Sequence, residues 1–207
     1  LPLFYQEVTK VLESIENTTY ELLFINDGSS DHTEDLIKLM AHKNKQCFYY
    51  SFSRNFGKEA AMYAGLENAT GDYVVIMDAD LQHPPYLLKE MYRSLKEENY
   101  DCSAGKRIDR TGEGKLRNFL SHSFYKVIQT LTKMDMDDGA GDFRMMTRQM
   151  VDAILELKEY NRYMKGLFSF VGFNTKWLEF HNVERQGGKT KWSFKSLFSY
   201  AFKGIFS

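Results

Sequence analysis

Tyr73-Val-Val-Ile-Met-Asp78-Ala-Asp80-Leu-Gln82-His-Pro84-Pro85 is the stretch on which the fold turns. Tyr73 to Met77 is an unbroken apolar run of strand length and reads as a buried strand. Two aspartates one residue apart follow it, then a pair of prolines of the kind that opens a helix. In extended backbone, residues i and i+2 point to the same side, about 6–7 Å apart. Two carboxylates so placed, with the amide oxygen of Gln82 nearby, suit a hard cation such as Mg²⁺ or Mn²⁺, which commonly bridges protein oxygens to nucleotide phosphates. A solvated acidic turn at a strand end has the same local sequence, so the pair alone does not decide the matter.

Working outward, strand and helix signals alternate. Tyr20 to Ile25 reads as an apolar strand ending in Asn26-Asp27-Gly28-Ser29-Ser30-Asp31. Ser30 or Asp31 is placed to cap a helix that carries Leu36, Ile37 and Met40 on one face. Cys47 to Phe52 is a further strand, followed by Ser53-Arg54-Asn55-Phe56-Gly57-Lys58 and an Ala-rich helix that stops at Gly71. Beyond Pro85, Leu88, Met91 and Leu95 recur at helical spacing. Such alternation predicts an α/β fold, a Rossmann-like, mostly parallel sheet with crossover helices on both faces. Ligands of such sheets bind beyond the carboxyl ends of the strands. Asp27, Arg54 and the Asp78/Asp80 pair all fall at those ends.

The second half is less regular. Tyr100 to Gly105 reads as a short strand, and Lys106 to Gly114 as a polar loop of either functional or plain surface character. A long helix follows, with Leu116, Phe119, Leu120, Phe124, Val127, Ile128 and Leu131 as a core-facing stripe. Gly139 to Arg144 reads as a tight turn, and Val151, Ile154 and Leu155 mark the next helix. At the other end, Leu1-Pro2-Leu3-Phe4 reads as the tail of a strand whose first residues lie outside this chain.

Composition bounds the function. The 207 residues, 43% hydrophobic, suffice for one sizeable core and one domain. With 27 basic against 28 acidic residues, the charge balance argues against nucleic-acid binding. Cys47 and Cys102 lack metal-ligand spacing and read as reduced core residues of an intracellular protein. No signal peptide and no apolar run of membrane-spanning length is present. From Arg185 onward there is no acidic residue, while Lys189, Lys191, Lys195 and Lys203 are interleaved with Trp192, Phe194, Phe198, Phe202 and Phe206. Cations with large aromatics suit a segment lying at a membrane surface. An amphipathic helix folded back on the domain is the plain alternative.

The motifs taken together resemble the inverting glycosyltransferases of family 2, with the GT-A fold, and among them the polyprenyl-phosphate glycosyltransferases. The resemblance rests on Pro2…Tyr5-Gln6-Glu7, Asn26-Asp27-Gly28-Ser29, Arg54-Asn55-Phe56-Gly57-Lys58, Asp78-Ala-Asp80-Leu-Gln82, Gly141-Asp142-Phe143-Arg144, and Arg185-x-x-Gly188-x-Thr190-Lys191-Trp192. Each is weak alone; six in order across nearly the whole chain are specific. The resemblance implies a GT-A catalytic domain over residues 1–184 and a basic aromatic juxtamembrane segment over 185–207, followed by transmembrane helices beyond this chain. It further implies that Pro2, Tyr5 and Glu7 form a first nucleotide-contacting loop, and that Asp27, Lys58, Asp78 and Asp80 also contact the nucleotide sugar. Asp78, Asp80 and Gln82 would hold Mg²⁺ or Mn²⁺. Asp142 would be a carboxylate at the reaction centre, with Asp80 sharing the catalytic work through the metal. Arg117, Arg185 and Lys191 would hold phosphates of donor or acceptor.

Two departures stand out: Gln6 where the family usually has Asn, and Asn26 in place of a common Asp. The Gln-x-x-Arg-Trp motif of processive members is absent, which favours transfer of a single sugar. The implied partners are a nucleotide-sugar donor, with uridine donors favoured, a polyprenyl-phosphate acceptor and the cytoplasmic face of the membrane. A homo-oligomer is left open. Three other readings compete: a soluble glycosyltransferase with a polysaccharide or protein acceptor, a nucleotidyltransferase, and a non-catalytic binding module. The second lacks its usual Gly-rich phosphate loop, and the third sits poorly with Asp27, Asp78, Asp80 and Asp142 all being present.

Overall fold

The computed structural model describes residues 1–108, 140–157 and 163–181. Its first element is a helix. α1 spans Pro2–Leu12, with proline in the opening turn, where its fixed φ is preorganised and its missing N–H costs nothing. Phe4 and Val8, one turn apart, are its buried residues, and Leu1, Tyr5, Val11 and Leu12 pack around them. The expected strand tail at Leu1–Phe4 is therefore corrected, as is the expected loop through Pro2, Tyr5 and Glu7. Four apolar residues are too few to show a period; the spacing of Phe4, Val8 and Val11 is helical.

β1 (Leu22–Asn26) and β2 (Cys47–Ser51) pair in parallel, Leu22 against Cys47 through to Asn26 against Ser51. α2 (Thr33–Lys43) connects them. Its N-cap is His32, without a side-chain cap bond, so the capping expected of Ser30 or Asp31 is corrected; the Asp31 carboxylate accepts the Thr33 amide at 3.0 Å. α3 (Lys58–Asn68) leads to β3 (Tyr73–Ile76), and α4 (Leu87–Glu97) leads on to β4 (Cys102–Arg107). The Ala-rich helix ends three residues before the expected Gly71. Its trailing carbonyls, of Ala69 and Gly71, accept hydrogen bonds from the Arg148 guanidinium at 2.9 and 2.6 Å.

β5 (Ala140–Thr147), α5 (Arg148–Glu156), α6 (Met164–Phe170) and β6 (Thr175–Phe180) complete the described elements. The second sheet has the order β3-β5-β4-β6. β5 is antiparallel to both β3 and β4, whereas β4 and β6 are parallel. Three of its four strands thus run one way and β5 alone reverses, the mostly parallel arrangement expected. The tight turn expected over Gly139–Arg144 is corrected here, because residues 140–147 are one continuous strand. Its alternation carries past the glycines: Phe143 and Met145 face one core, Met146 the other.

Those two cores lie on opposite faces of the sheet. One joins Phe143, Met145, Leu178 and Phe180 to α1, α2 and α4, where Leu87, Leu88, Met91 and Leu95 are buried. Each such side chain contributes about 1.5–3 kcal/mol by leaving water. The other joins Val74, Cys102, Ala104 and Met146 to Met62 and Leu66 of α3, Val151 and Ile154 of α5, and Met164 and Phe168 of α6. Both cysteines are buried free thiols, as read from their spacing.

Candidate functional site

Strand register brings the acidic residues together. On β3 and β5, Ile76 pairs with Arg144. Two residues onward from Ile76 is Asp78, and two back from Arg144 is Asp142. By the period of two, Asp142 follows Arg144 in facing α3, and Asp78 lies two residues past the end of β3. Lys58 is the first residue of α3, and its Nζ lies 2.7 Å from Asp78 Oδ2 and 2.7 Å from Asp142 Oδ2. A cation at a helix N-terminus is disfavoured by the helix dipole, so the two carboxylates must override that cost. Burial likewise works against the ammonium, but Asp142 and Asp78 outweigh it and raise its pKa. Asp142 is only 12% exposed. Burial would raise its carboxyl; Lys58, then Lys165, outweigh burial and hold it below its ordinary value. Its second oxygen, Oδ1, is buried with no hydrogen-bond partner among the described residues.

The loop that delivers Lys58 is fastened by Asp27. The Asp27 carboxylate accepts the amide of Phe56 at 2.7 Å and that of Gly57 at 3.0 Å, and the Asp27 carbonyl accepts Asn55 Nδ2 at 3.3 Å. Gly57, at φ 97°, then turns the chain into α3. Gly28 has φ 64°, and a Cβ there would stand 2.4 Å from the carbonyl carbon of Arg54. The loops after β1 and β2 therefore touch backbone to backbone. Asn26, buried, joins them further by donating to Ser51 Oγ and accepting the Ser29 amide. The substitution of Asn for a common Asp is accommodated by this pairing.

The Asp-x-Asp segment is not extended. β3 ends at Ile76, the chain turns through Asp78–Leu81, and Leu81 has φ 62°. The expectation that strand geometry sets the two carboxylates side by side is corrected: the strand ends at Ile76, and the chain is already turning at Ala79 and Asp80. Asp80 Oδ1 instead accepts the Gln82 amide at 3.1 Å. The Asp78 amide donates to His83 Nδ1 at 3.2 Å, which leaves the ring proton on Nε2. His83 is buried, stacked on Phe143 at 5.0 Å and edge-on to Phe180 at 6.5 Å. Burial lowers its pKa against the pull of Asp78, so the ring stays neutral and fixes the turn from beneath.

Among the described residues no group of three or more His, Cys, Asp or Glu side chains is placed to hold a metal ion. What is present fits an open site. Asp78 and Asp80 are part-exposed carboxylates on one turn, and the Asp142 Oδ1 oxygen has no protein partner among the described residues. Mg²⁺ and Mn²⁺ bound through one or two carboxylates take their remaining ligands from water and substrate phosphates.

α6 closes the site from the sheet's α3 side. The Glu59 carboxylate accepts the Met164 amide at 2.8 Å, which brings Lys165 within electrostatic reach of Asp142. The buried Arg144 guanidinium lies 3.8 Å over the Phe168 ring and donates to the Gly141 carbonyl. Sequence reasoning missed Glu59, His83, Lys165 and this use of Arg144. His83 stood inside the decisive stretch, but nothing in its spacing distinguished it.

Of the anticipated site residues, Lys58, Asp78 and Asp142 are linked by direct contacts, Asp27 fastens the loop just before Lys58, and Asp80 and Gln82 sit on the same turn as Asp78. Pro2, Tyr5 and Glu7 are not with them. The Tyr5 hydroxyl accepts Asn44 Nδ2 at 3.0 Å, just before the first residue of β2, while Lys58 follows the carboxyl end of that strand. Pro2 and Glu7 are exposed on the same helix. Arg117, Arg185, Lys191 and the basic aromatic tail lie outside the described residues. No helix among the described residues is long and apolar enough to cross a membrane.

The chain is similar to known proteins in sequence and in fold. Residues 5–155 match the model of glycosyl transferase family 2. The glycosyltransferase-named CsbB of Bacillus subtilis (strain 168) is 47% identical over 99% of this chain and 61% of its own length. A prophage bactoprenol glucosyl transferase homolog of Escherichia coli (strain K12) is 37% identical over 100% of this chain and 67% of its own. The chain thus spans roughly six-tenths to two-thirds of these relatives. Among solved structures, a mannosyltransferase of Pyrobaculum calidifontis with GDP-Man and Mn²⁺ superposes with TM-score 0.57 at 17% identity, over 91% of this chain and 54% of that one. Glucosyl-3-phosphoglycerate synthase of Mycobacterium tuberculosis, with Mn²⁺ and UDP-Glc, gives 0.54 at 17% identity, over 95% and 71%. A reversed strand that sets Asp142 against the Asp78–Asp80 turn, on a fold shared with these enzymes and a family match over most of the chain, places this protein in glycosyl transferase family 2, with the GT-A fold.

Proposed function

We propose that this chain carries the catalytic site of an inverting glycosyltransferase that moves one sugar from a nucleotide diphosphate sugar, UDP-glucose first among the candidates, to a polyprenyl phosphate at the cytoplasmic face of the membrane. The observation that carries the reading is the bridge that Lys58 makes between Asp78 and Asp142 at the carboxyl edge of the sheet, with Asp80 on the same turn as Asp78. The bactoprenol glucosyl transferase names among relatives support the lipid acceptor, and the neighbours solved with UDP-Glc or GDP-Man support the donor class.

The chemistry asks little of a base. A lipid monophosphate has a second pKa of about 6 and is largely dianionic at neutral pH, so its oxygen is already a nucleophile. It needs positioning more than deprotonation. Asp142, held ionised by Lys58, orients the cations around the acceptor and substrate. Asp78 and Asp80, with Gln82, would hold Mg²⁺ or Mn²⁺, which would offset charge growing on the leaving nucleoside diphosphate. Asp27 acts through the loop it fastens, setting where Lys58 stands. Arg117, Arg185 and Lys191 supply the cations that let two anionic substrates approach. Two unit charges 4 Å apart repel by roughly 4 kcal/mol at an effective dielectric of 20. The lysines and aromatics after Arg185 have the composition that suits contact with anionic lipid and the membrane interface.

The test is a screen of nucleotide sugars against a polyprenyl phosphate in detergent, with the glycolipid identified by mass. Formation of a monoglycosylated lipid from one donor supports the reading. Transfer to an uncharged polyprenol equal to that to its phosphate would move the assignment to a different acceptor class.

A further inference from the structure

Lys58 satisfies two carboxylates of unequal standing. Both contacts are 2.7 Å, but Asp142 is 12% exposed and Asp78 40% exposed. Removing the ammonium from Asp142 would strand a charge in low dielectric, whereas Asp78 can be resolvated from its open side. The two bonds therefore differ in how readily they part. Lys58 is bonded to both carboxylates, and Lys165 also acts on Asp142, so Asp142 keeps a second cation nearby while Lys58 bridges to Asp78. The Asp142 oxygen that Lys58 does not touch is buried and without a hydrogen-bond partner among the described residues.

From this asymmetry we infer that Lys58 is an exchangeable counter-ion. With the site empty it holds Asp78 and Asp142 together. When a divalent cation arrives it releases Asp78, stays on Asp142, and has an ammonium N–H to offer a donor phosphate oxygen. The inference rests on the reading of Asp78 as a cation ligand given above. Its consequence is coupling: a cation alone must displace Lys58 and binds weakly, whereas a cation arriving with a nucleoside diphosphate gives the displaced ammonium a new partner. The backbone around Lys58 is built to survive the exchange, because Asp27 clamps Phe56 and Gly57 rather than Lys58 itself.

The experiment measures Mn²⁺ binding by the loss of the free-ion electron paramagnetic resonance signal, with and without UDP. The proteins are wild type, Lys58→Met and Lys58→Arg. The inference expects Lys58→Met to bind Mn²⁺ alone at least tenfold tighter than wild type, and to lose most of the tightening that UDP gives wild type. Lys58→Arg keeps the charge and should behave as wild type. Folded Lys58→Met that binds Mn²⁺ no tighter than wild type overturns the exchange and leaves the cation reading standing. Failure of all three to bind Mn²⁺ even with UDP overturns the cation reading, and the inference with it. Should Lys58→Met not fold, the wild-type protein decides: the ¹⁵N resonance of the Lys58 ammonium must shift on addition of Mg²⁺, and an unmoved resonance under saturating Mg²⁺ overturns the inference.

Discussion

Replacing Gly28 with alanine tests how the site is held. Gly28 sits at φ 64°, where an L-residue costs roughly 1–2 kcal/mol. An added Cβ would also stand 2.4 Å from Arg54 C, 2.6 Å from Asn55 N and 2.8 Å from Arg54 Cα. These are backbone atoms, so no side chain can swing away. Overpacking of this kind costs about 1–3 kcal/mol, and the sum is about 2–5 kcal/mol. For a domain of this size each kcal/mol lowers Tm by about 2–4 °C, so a loss of about 4–20 °C is expected. The strain has a functional reading too. Pushing Arg54 and Asn55 away pulls Phe56 and Gly57 off Asp27, and Lys58 moves with them. Urea unfolding followed by circular dichroism, with transfer assayed well below the midpoint, separates the two effects. A Gly28→Ala protein within about 1 kcal/mol of wild type, with full transfer, would refute the backbone contact between the two loops.

Asp80→Asn should abolish transfer while leaving the circular dichroism spectrum and Tm unchanged, and excess chelator should silence the wild type; full activity under either condition removes the metal from the mechanism. His83→Phe keeps the stack on Phe143 but leaves the Asp78 amide without its acceptor, a cost of about 1–3 kcal/mol. Its transfer should fall chiefly through weaker Mn²⁺ affinity, and His83→Asn should restore part of it; equal Mn²⁺ affinity in wild type and His83→Phe would remove His83 from the support of the turn. Arg117→Ala and Arg185→Ala should depress transfer to polyprenyl phosphate at least tenfold with donor affinity nearly unchanged, measured by pairing UDP-sugar titration with initial rates. Normal transfer by both would free these residues from the acceptor site.

The parts of this fold legible in the sequence are those set by local pattern. The apolar runs at Leu22–Asn26, Cys47–Ser51 and Tyr73–Ile76, and the i, i+3, i+7 spacing of Leu88, Met91 and Leu95, each show their element within a few residues. Strand ends then locate Asp27, Asp78 and Asp80. What was not legible depends on pairing across long stretches of chain. Gly139–Arg144 carries two glycines and resembles a turn; that residues 140–144 belong to a strand follows only from their insertion between β3 and β4. Without that reversed strand, nothing sets Asp142 opposite Asp78 or gives Lys58 its second carboxylate. The left-handed Leu81 was equally hidden, because its φ is imposed by the turn and by the His83 bond below it, not by leucine's own preference.

The account stands or falls on transfer of sugar to a lipid phosphate. The direct measurement incubates the protein with UDP-glucose, Mg²⁺ and undecaprenyl phosphate in detergent, and follows glycolipid formation by mass spectrometry beside Asp142→Asn and an undecaprenol control. The account predicts a single-hexose phospholipid from the wild type, a loss of at least a hundredfold with Asp142→Asn, and no product from undecaprenol. Absence of glycolipid across all nucleotide sugars tried, or product formation that ignores the acceptor's phosphate, would contradict it.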